Sequence, residues 1–270
     1  AGEDNFFRGP NYVTNAYASA SGGDAFAHSN QIEVDISGGI ATYGNSSNAI
    51  SVSADASATA LAFGEDSGSS TARAVSYAFA SDESAGVHLN TISNDGELRT
   101  HGEDSSAIIL HADASAYALA VAYSYDGFAS GGAVAEGGNA FVNSNDISNS
   151  GEINTWGDRS HGIELFADAS ATAESYAYGN YDDTSFAVAF GGTAAVDGNT
   201  VSNSGFILTD DGEFGASSHG IYLHADASAD ELFDFSGSSA DFRISDPGIA
   251  SVDNNSISND GPDAGIVALG

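Results

Sequence analysis

A unit of about 55 residues repeats along this chain, and that period decides what it can fold into, because each copy must bury its apolar face against its neighbours. Ala-Asp-Ala-Ser recurs at residues 54–57, 112–115, 167–170 and 225–228, at spacings of 58, 55 and 58. Between these copies runs Asn-x-(Ile/Val)-Ser-Asn-(Asp/Ser)-Gly, at 90–96, 145–151, 199–205 and 255–261. The repeat is cut in mid-unit at both ends. Residues 264–270 align with 161–167 and 219–225, stopping where Asp-Ala-Ser would follow, and residues 22–32 match 137–147. On this alignment, tail plus head compose one whole unit.

So regular a repeat in 270 residues predicts one elongated domain. The boundaries read as an N-terminal connector at 1–12 and a single solenoid at 13–270. The solenoid divides into a partial repeat at 13–29, repeats at 30–89, 90–144, 145–198 and 199–254, and a partial repeat at 255–270. The chain has no Cys, Met or Lys, and its five Arg against 38 acidic residues give a net charge of −33. That sign excludes nucleic acid as a partner. Without Cys there is neither a disulfide framework nor a thiolate metal site. No apolar run reaches the roughly 18 residues that a membrane span needs, and no basic and apolar leader opens the chain, so membrane insertion is not expected. The Lys-free, Gly/Ser/Asn-rich composition points to an extracellular or cell-surface location. Disorder is disfavoured, because the 41% hydrophobic and 10% aromatic residues fall in register from copy to copy.

Strict alternation predicts strands. The even positions from Ala112 to Ala122 are all Ala, a period of two with one face inward. Ala is a poor strand former, so a row of it predicts an interior too narrow for more than a methyl group. Helix is the competing reading; it loses because the intervening residues are Ser, Asp, Tyr and Val at period two. Asn-Asp-Gly, Asn-Ser-Gly and Gly-Gly pairs mark the corners, where Asn and Gly accept left-handed backbone. Identical corners in successive copies predict an Asn ladder at Asn94, Asn149, Asn203 and Asn259. The fold expected is all-β, a right-handed parallel β-solenoid. Three coils of about 18 residues per unit would give about 14 Å per unit and a rod of roughly 70 Å.

The pattern Asn-Ser-Gly-x-Ile-x-Thr-x-Gly-x-x-Ser-x-Gly-Ile at 149–163, with variants at 94–108 and 203–221, resembles the β-helical passenger domains of bacterial autotransporters and related surface adhesins. It covers about a third of each unit. The resemblance implies a right-handed parallel β-helix at the cell surface and no shared chemistry.

Chemistry is harder to find. His111 and His224 share one repeat position, and His161 and His219 another, with Phe166 and Asn48 at the equivalents; recurrence points to architecture rather than to a metal centre. No organic cofactor is implied. The acidic pairs Asp182–Asp183 and Asp210–Asp211 are the candidate Ca²⁺ ligands, set against a diffuse counterion atmosphere, because Ca²⁺ takes six to eight oxygens. The five Arg fall about one per repeat, so no carboxylate–Arg cluster of the polysaccharide-cleaving kind appears, and no enzyme is expected.

Self-assembly is the function this reading predicts: a structural subunit polymerising head to tail into an extracellular filament, its C-terminal half-repeat completed by the N-terminal half-repeat of the next copy. Phe6, Phe7, Tyr12, Ala16 and Tyr17 would form one side of the interface, and Ile257, Ile266, Val267 and Leu269 the other. The strand ending at Gly270 would be continued by residues 12–20 of the next subunit. The alternative is a monomeric adhesin that binds a host or glycan surface.

Overall fold

The computed structural model describes residues 5–9, 13–66, 73–81, 84–125, 127–179, 183–210, 217–236 and 241–269, and the regular structure among them is all β. The strands form six parallel sheets, five of five strands and one of four. Sheet A stacks Asn5–Gly9, Ala58–Asp66, Ala116–Ser124, Ala171–Tyr178 and Ala229–Ser236; sheet B stacks Val13–Ser21, Arg73–Ser81, Phe128–Glu136, Thr184–Phe190 and Asp241–Asp246. Sheet C holds Ala25–His28, Ser84–His88, Asn139–Asn143, Thr193–Asp197 and Ile249–Asp253; sheet D holds Gln31–Val34, Thr91–Asn94, Asp146–Asn149, Thr200–Asn203 and Ser256–Asn259. Sheet E holds Gly39–Tyr43, Glu97–His101, Glu152–Trp156, Phe206–Asp210 and Gly265–Leu269, and sheet F holds Ile50–Asp55, Ile108–Asp113, Ile163–Asp168 and Ile221–Asp226.

The chain visits A to F once per coil, so the parallel β-solenoid expected from the sequence is the fold, but with a different pitch. Ile32, Ile92, Ile147, Val201 and Ile257 pair in succession, and equivalent Asn residues are 60, 55, 54 and 56 positions apart. One repeat therefore makes one large coil, not three of 18 residues. At about 4.8 Å per coil, five coils rise about 24 Å rather than 70 Å.

The alanine rows explain the difference. Sheets A and B fold back on each other as a flat arm, and their facing side chains form a core cluster made of alanine alone, with Ala60, Ala62, Ala80, Ala118, Ala120, Ala133, Ala135, Ala173, Ala187 and Ala189 fully buried. Cα atoms of the two sheets come within 8 Å, inside the roughly 10 Å spacing of ordinary stacked sheets. Buried hydroxyls bridge the gap: Ser76 Oγ donates to the Ala62 carbonyl at 2.6 Å, and Ser185 Oγ to the Ser175 carbonyl at 3.0 Å. At Gly131 a Cβ would press on Ser175 Oγ and the Tyr176 carbonyl, so even a methyl is excluded there. Two strands per coil, of up to nine residues each, are spent on this arm, which is why the unit cannot subdivide.

Beyond the arm, sheets C to F enclose a second core of Ile, Leu and Val, including Ile92, Leu98, Ile108, Leu110, Ile147, Ile153, Ile163, Leu165 and Ile207. The Ala-Asp-Ala-Ser motif is the corner from sheet F into sheet A. Asp55, Asp113, Asp168 and Asp226 each accept the backbone N–H of the Ser two residues on, at 2.9 Å, a side-chain turn that leaves the inward alternation unbroken. Of the expected Asn-Asp-Gly and Asn-Ser-Gly corners, only Gly261, with φ 149°, has left-handed backbone among the described residues; the rest of it sits elsewhere. Ser29, Leu89, Ser144, Gly198 and Asn254, with φ between 53° and 65°, form one column at the C–D corner. Gly96, Gly151 and Gly205 are required instead by closeness, since a Cβ on Gly151 would collide with the Gly96 carbonyl.

An interior this narrow has a measurable signature. Ala118→Leu should destabilise the fold by about 1–3 kcal/mol through overpacking, whereas Leu119→Ala, on the outward face of the same strand, should cost less. Urea unfolding measures both, and an Ala118→Leu variant as stable as the parent would contradict the packing described.

Candidate functional sites: two end faces and a histidine cleft

Both ends of sheet D carry inward Asn residues. Asn94 Nδ2 donates to Asn149 Oδ1, Asn149 to Asn203 and Asn203 to Asn259, each at 2.7 Å. Asn94 Oδ1 is buried without a partner, because its register neighbour on the preceding coil is Val34. A second ladder, not singled out from the sequence, runs through Asn30, Asn90, Asn145, Asn199 and Asn255, with Nδ2–Oδ1 distances of 2.9 to 3.0 Å. Each rung also receives the backbone N–H of the Asn before it at 3.0 Å. The signal was available: Asn90, Ile92 and Asn94 alternate, so all three point inward.

The residues expected at an assembly interface fall on the outermost strands of the stack. Ala16 and Tyr17 lie on Val13–Ser21, Ala16 turned into the alanine core and Tyr17 outward. Phe6 and Phe7 lie on Asn5–Gly9, which pairs with Ala58–Asp66 in sheet A; these residues belong to a coil rather than to a separate connector. Tyr12 lies outside the described residues. At the other end, Ile257 is 51% exposed and Ile266 39%, although the same rows bury Ile92, Ile147, Ile153 and Ile207 fully. Val267 and Leu269 share the strand of Ile266.

That strand corrects the tail alignment. Ile266 pairs with Ile207 in sheet E, not in sheet F with Ile163 and Ile221. The three residues Pro262, Asp263 and Ala264 lengthen the corner after Gly261, and the Gly-Ile match misread the result. Sheet E cannot be continued by residues 12–20, since Val13–Ser21 belongs to sheet B. Its equivalent at the opposite end is Gly39–Tyr43.

Of the candidate Ca²⁺ ligands, Asp182 and Asp211 lie outside the described residues. Asp183 is buried and closes the tip of the arm, accepting the N–H of Ala129 at 3.0 Å and of Gly179 at 2.7 Å. Asp210 ends its strand in register with Trp156.

A third arrangement lies outside sheet F. In the row Asn48, Ser106, His161, His219, each of the first three side chains accepts the backbone N–H of the next coil: Asn48 Oδ1 from Ser106 at 2.7 Å, Ser106 Oγ from His161 at 3.3 Å, His161 Nδ1 from His219 at 3.0 Å. The His161 ring must be neutral to do this. Burial first, then His219, lowers its pKa to about 4. Beside it opens a cavity of about 360 Å³, with Phe166 and Ile109 as apolar lining and Glu164, Tyr222, Asp104 and Arg159 as polar groups. Burial raises the Glu164 pKa, opposed by a hydrogen bond from Ser106 Oγ at 2.6 Å. Arg159 grips Asp104 through Nε at 2.7 Å and Nη2 at 2.8 Å and lowers its pKa. Phe166 stacks between His111 and His224, at 4.9 and 5.3 Å. The cleft thus sets the Arg159–Asp104 ion pair, Glu164 and the His161 ring beside an apolar floor, a mix of convergent polar groups and apolar surface suited to binding a polar ligand.

No helix among the described residues is long and apolar enough to cross a membrane. Compared with known protein families, curated proteins and solved structures, the chain matches none.

Two expectations follow from the ladders. Asn149→Ala should cost more stability than Asn94→Ala, because it strands Asn203 Oδ1, at about 1–3 kcal/mol for an orphaned group, and leaves Asn94 Nδ2 only its 3.4 Å bond to the Gly96 carbonyl; Asn94→Ala also removes an acceptor that is already unpaired. Denaturant titration of the two variants decides it, and equal losses would contradict the ladder. The second concerns pH. With a folded pKa of about 4 below the ordinary value of about 6.5, the unfolded chain protonates His161 first as pH falls. Its contribution is therefore complete above pH 6.5, lost between 6.5 and 4, and constant below. His161→Asn keeps the acceptor that Asn48 supplies on its own coil, so melting curves of this variant between pH 7 and 4 should fall less steeply than those of the parent.

Proposed function

We propose that this chain is a structural subunit that stacks head to tail into an extracellular filament. The observation that carries the reading is the match between the two end faces. The half-exposed Ile257 and Ile266 of the last coil stand in the rows that begin, at the other end, with Ile32 and Ile40. Stacked copies would meet isoleucine on isoleucine in both rows. Asn255 and Asn30 stand in a ladder whose rungs all point one way, so Asn255 N–H on Asn30 Oδ1 of the next copy would repeat the existing bond. Unpaired strand edges at each level supply further donors and acceptors. A contact between two different faces of one molecule propagates as an open fibre.

Charge sets the condition for growth. Copies of net charge −33 repel one another, so counterions must screen the junction. Ca²⁺ in that role needs no dedicated cage, and an extracellular setting provides it. No catalysis is assigned.

Negative-stain microscopy at high protein concentration, with and without Ca²⁺, tests the reading. Filaments with a repeat near 24 Å per subunit, about five strand spacings, are expected, and Ile257→Asp should leave short separate particles. Isolated parent particles under all conditions would sink the proposal. The second reading, a surface-bound adhesin that takes a glycan, is favoured by the convergent polar groups and aromatic rings that line the histidine cleft.

A further inference from the structure

On a chain so acidic, the outer face of sheet B carries two adjacent side-chain rows without a charge. One is Tyr17, Tyr77, Gly132, Phe186 and Phe242; the other is Ser19, Phe79, Val134, Val188 and Ile244. Tyr17 and Phe242 are each 58% exposed, and Phe79 and Ile244 each 39%. The first row is a ridge. Tyr17 and Tyr77 stack at 5.7 Å, and Tyr77 reaches Phe186 at 5.9 Å across Gly132, where any Cβ would collide with both rings. Beside the ridge runs a groove of about 410 Å³. The nearest carboxylates of this face, Glu136 and Asp246, stand one row further along, at the strand ends.

We propose that a second copy of this chain docks on this face, sheet B against sheet B, about a two-fold axis parallel to the solenoid axis. An axis between the two rows exchanges them, so the ridge of each copy enters the groove of the other. Five strands at about 4.8 Å, three of nine residues, one of seven and one of six, at about 3.3 Å per residue give a face of roughly 600 Å². The two faces together bury about 1,200 Å², at the lower end of the range of about 1,200–2,000 Å² for stable interfaces. An exposed apolar patch marks an interaction site, and its two central rows, with Glu136 and Asp246 kept to the margin, make it a face on which two strongly anionic copies can meet. The end faces stay open, so the pairing is independent of head-to-tail stacking and joins rods of the same polarity side by side.

A two-fold axis along the stack keeps each coil at its own height, so Tyr77 of one copy faces Phe79 of the other. The chain has no Cys, which allows a direct test with Ile257→Asp as a background that blocks end stacking. In 0.5 M NaCl, sedimentation equilibrium should show a dimer, and Val134→Glu should weaken it at least tenfold. Tyr123→Glu, on the outer face of sheet A, should leave it unchanged. Under copper-phenanthroline oxidation, a mixture of Tyr77→Cys and Phe79→Cys chains should cross-link at least tenfold faster than either chain alone. A folded monomer at every salt concentration, a dimer indifferent to Val134→Glu, or equal cross-linking rates would each overturn the proposal. So would monomers that float with phosphatidylcholine vesicles unless Val134 is replaced, since the face would then belong to a lipid surface.

Discussion

Parallel pairing between coils satisfies the backbone of each strand from the coils above and below, and it fixes what every side chain meets: the same position one repeat away. A residue type is tolerated inside only if it can stack on itself. Isoleucine and alanine do so by packing. Asparagine does so by bonding, since its amide donates and its carbonyl accepts, which is why two Asn ladders run through this core, beside serines and a row of threonines whose hydroxyls reach backbone carbonyls at Thr100 and Thr155. Aspartate has no donor to offer its own kind, and at the F–A corner each Asp turns to the Ser of its own coil instead. The ladder that begins at Asn94 shows the rule from its failure, where Val34 leaves a buried oxygen with nothing to accept.

Much of this was legible in the sequence because alternation and spacing report directly on which residues stack. The Ala rows announced a methyl-wide interior, and the Asn-Gly corners announced a ladder. The number of coils per repeat was not legible, because a repeat length says what pairs with what and nothing about how many corners close the path between. Only the meeting of sheets A and B across the alanines settles that. Likewise Gly151 looked like a left-handed corner, while what excludes a side chain there is the carbonyl of the coil beneath.

The histidine cleft was the least legible part. His161 and His219 recur at one position and read as architecture, which is half of what they are: His161 Nδ1 does hold the next coil. What recurrence cannot show is that sheet F leaves Glu164, Tyr222 and the Asp104–Arg159 pair around the same ring, since these come from neighbouring coils at positions that do not repeat.

The single large coil also changes how such a chain reaches its fold. Every rung joins residues more than 50 positions apart, so the first coil must close a long loop before any ladder bond repays it. Once one coil exists, its edge is a template, and the next coil needs only to be laid down along it. Folding becomes growth from a seed, and the face that each new coil leaves exposed is chemically the same kind of surface that guided that coil into place.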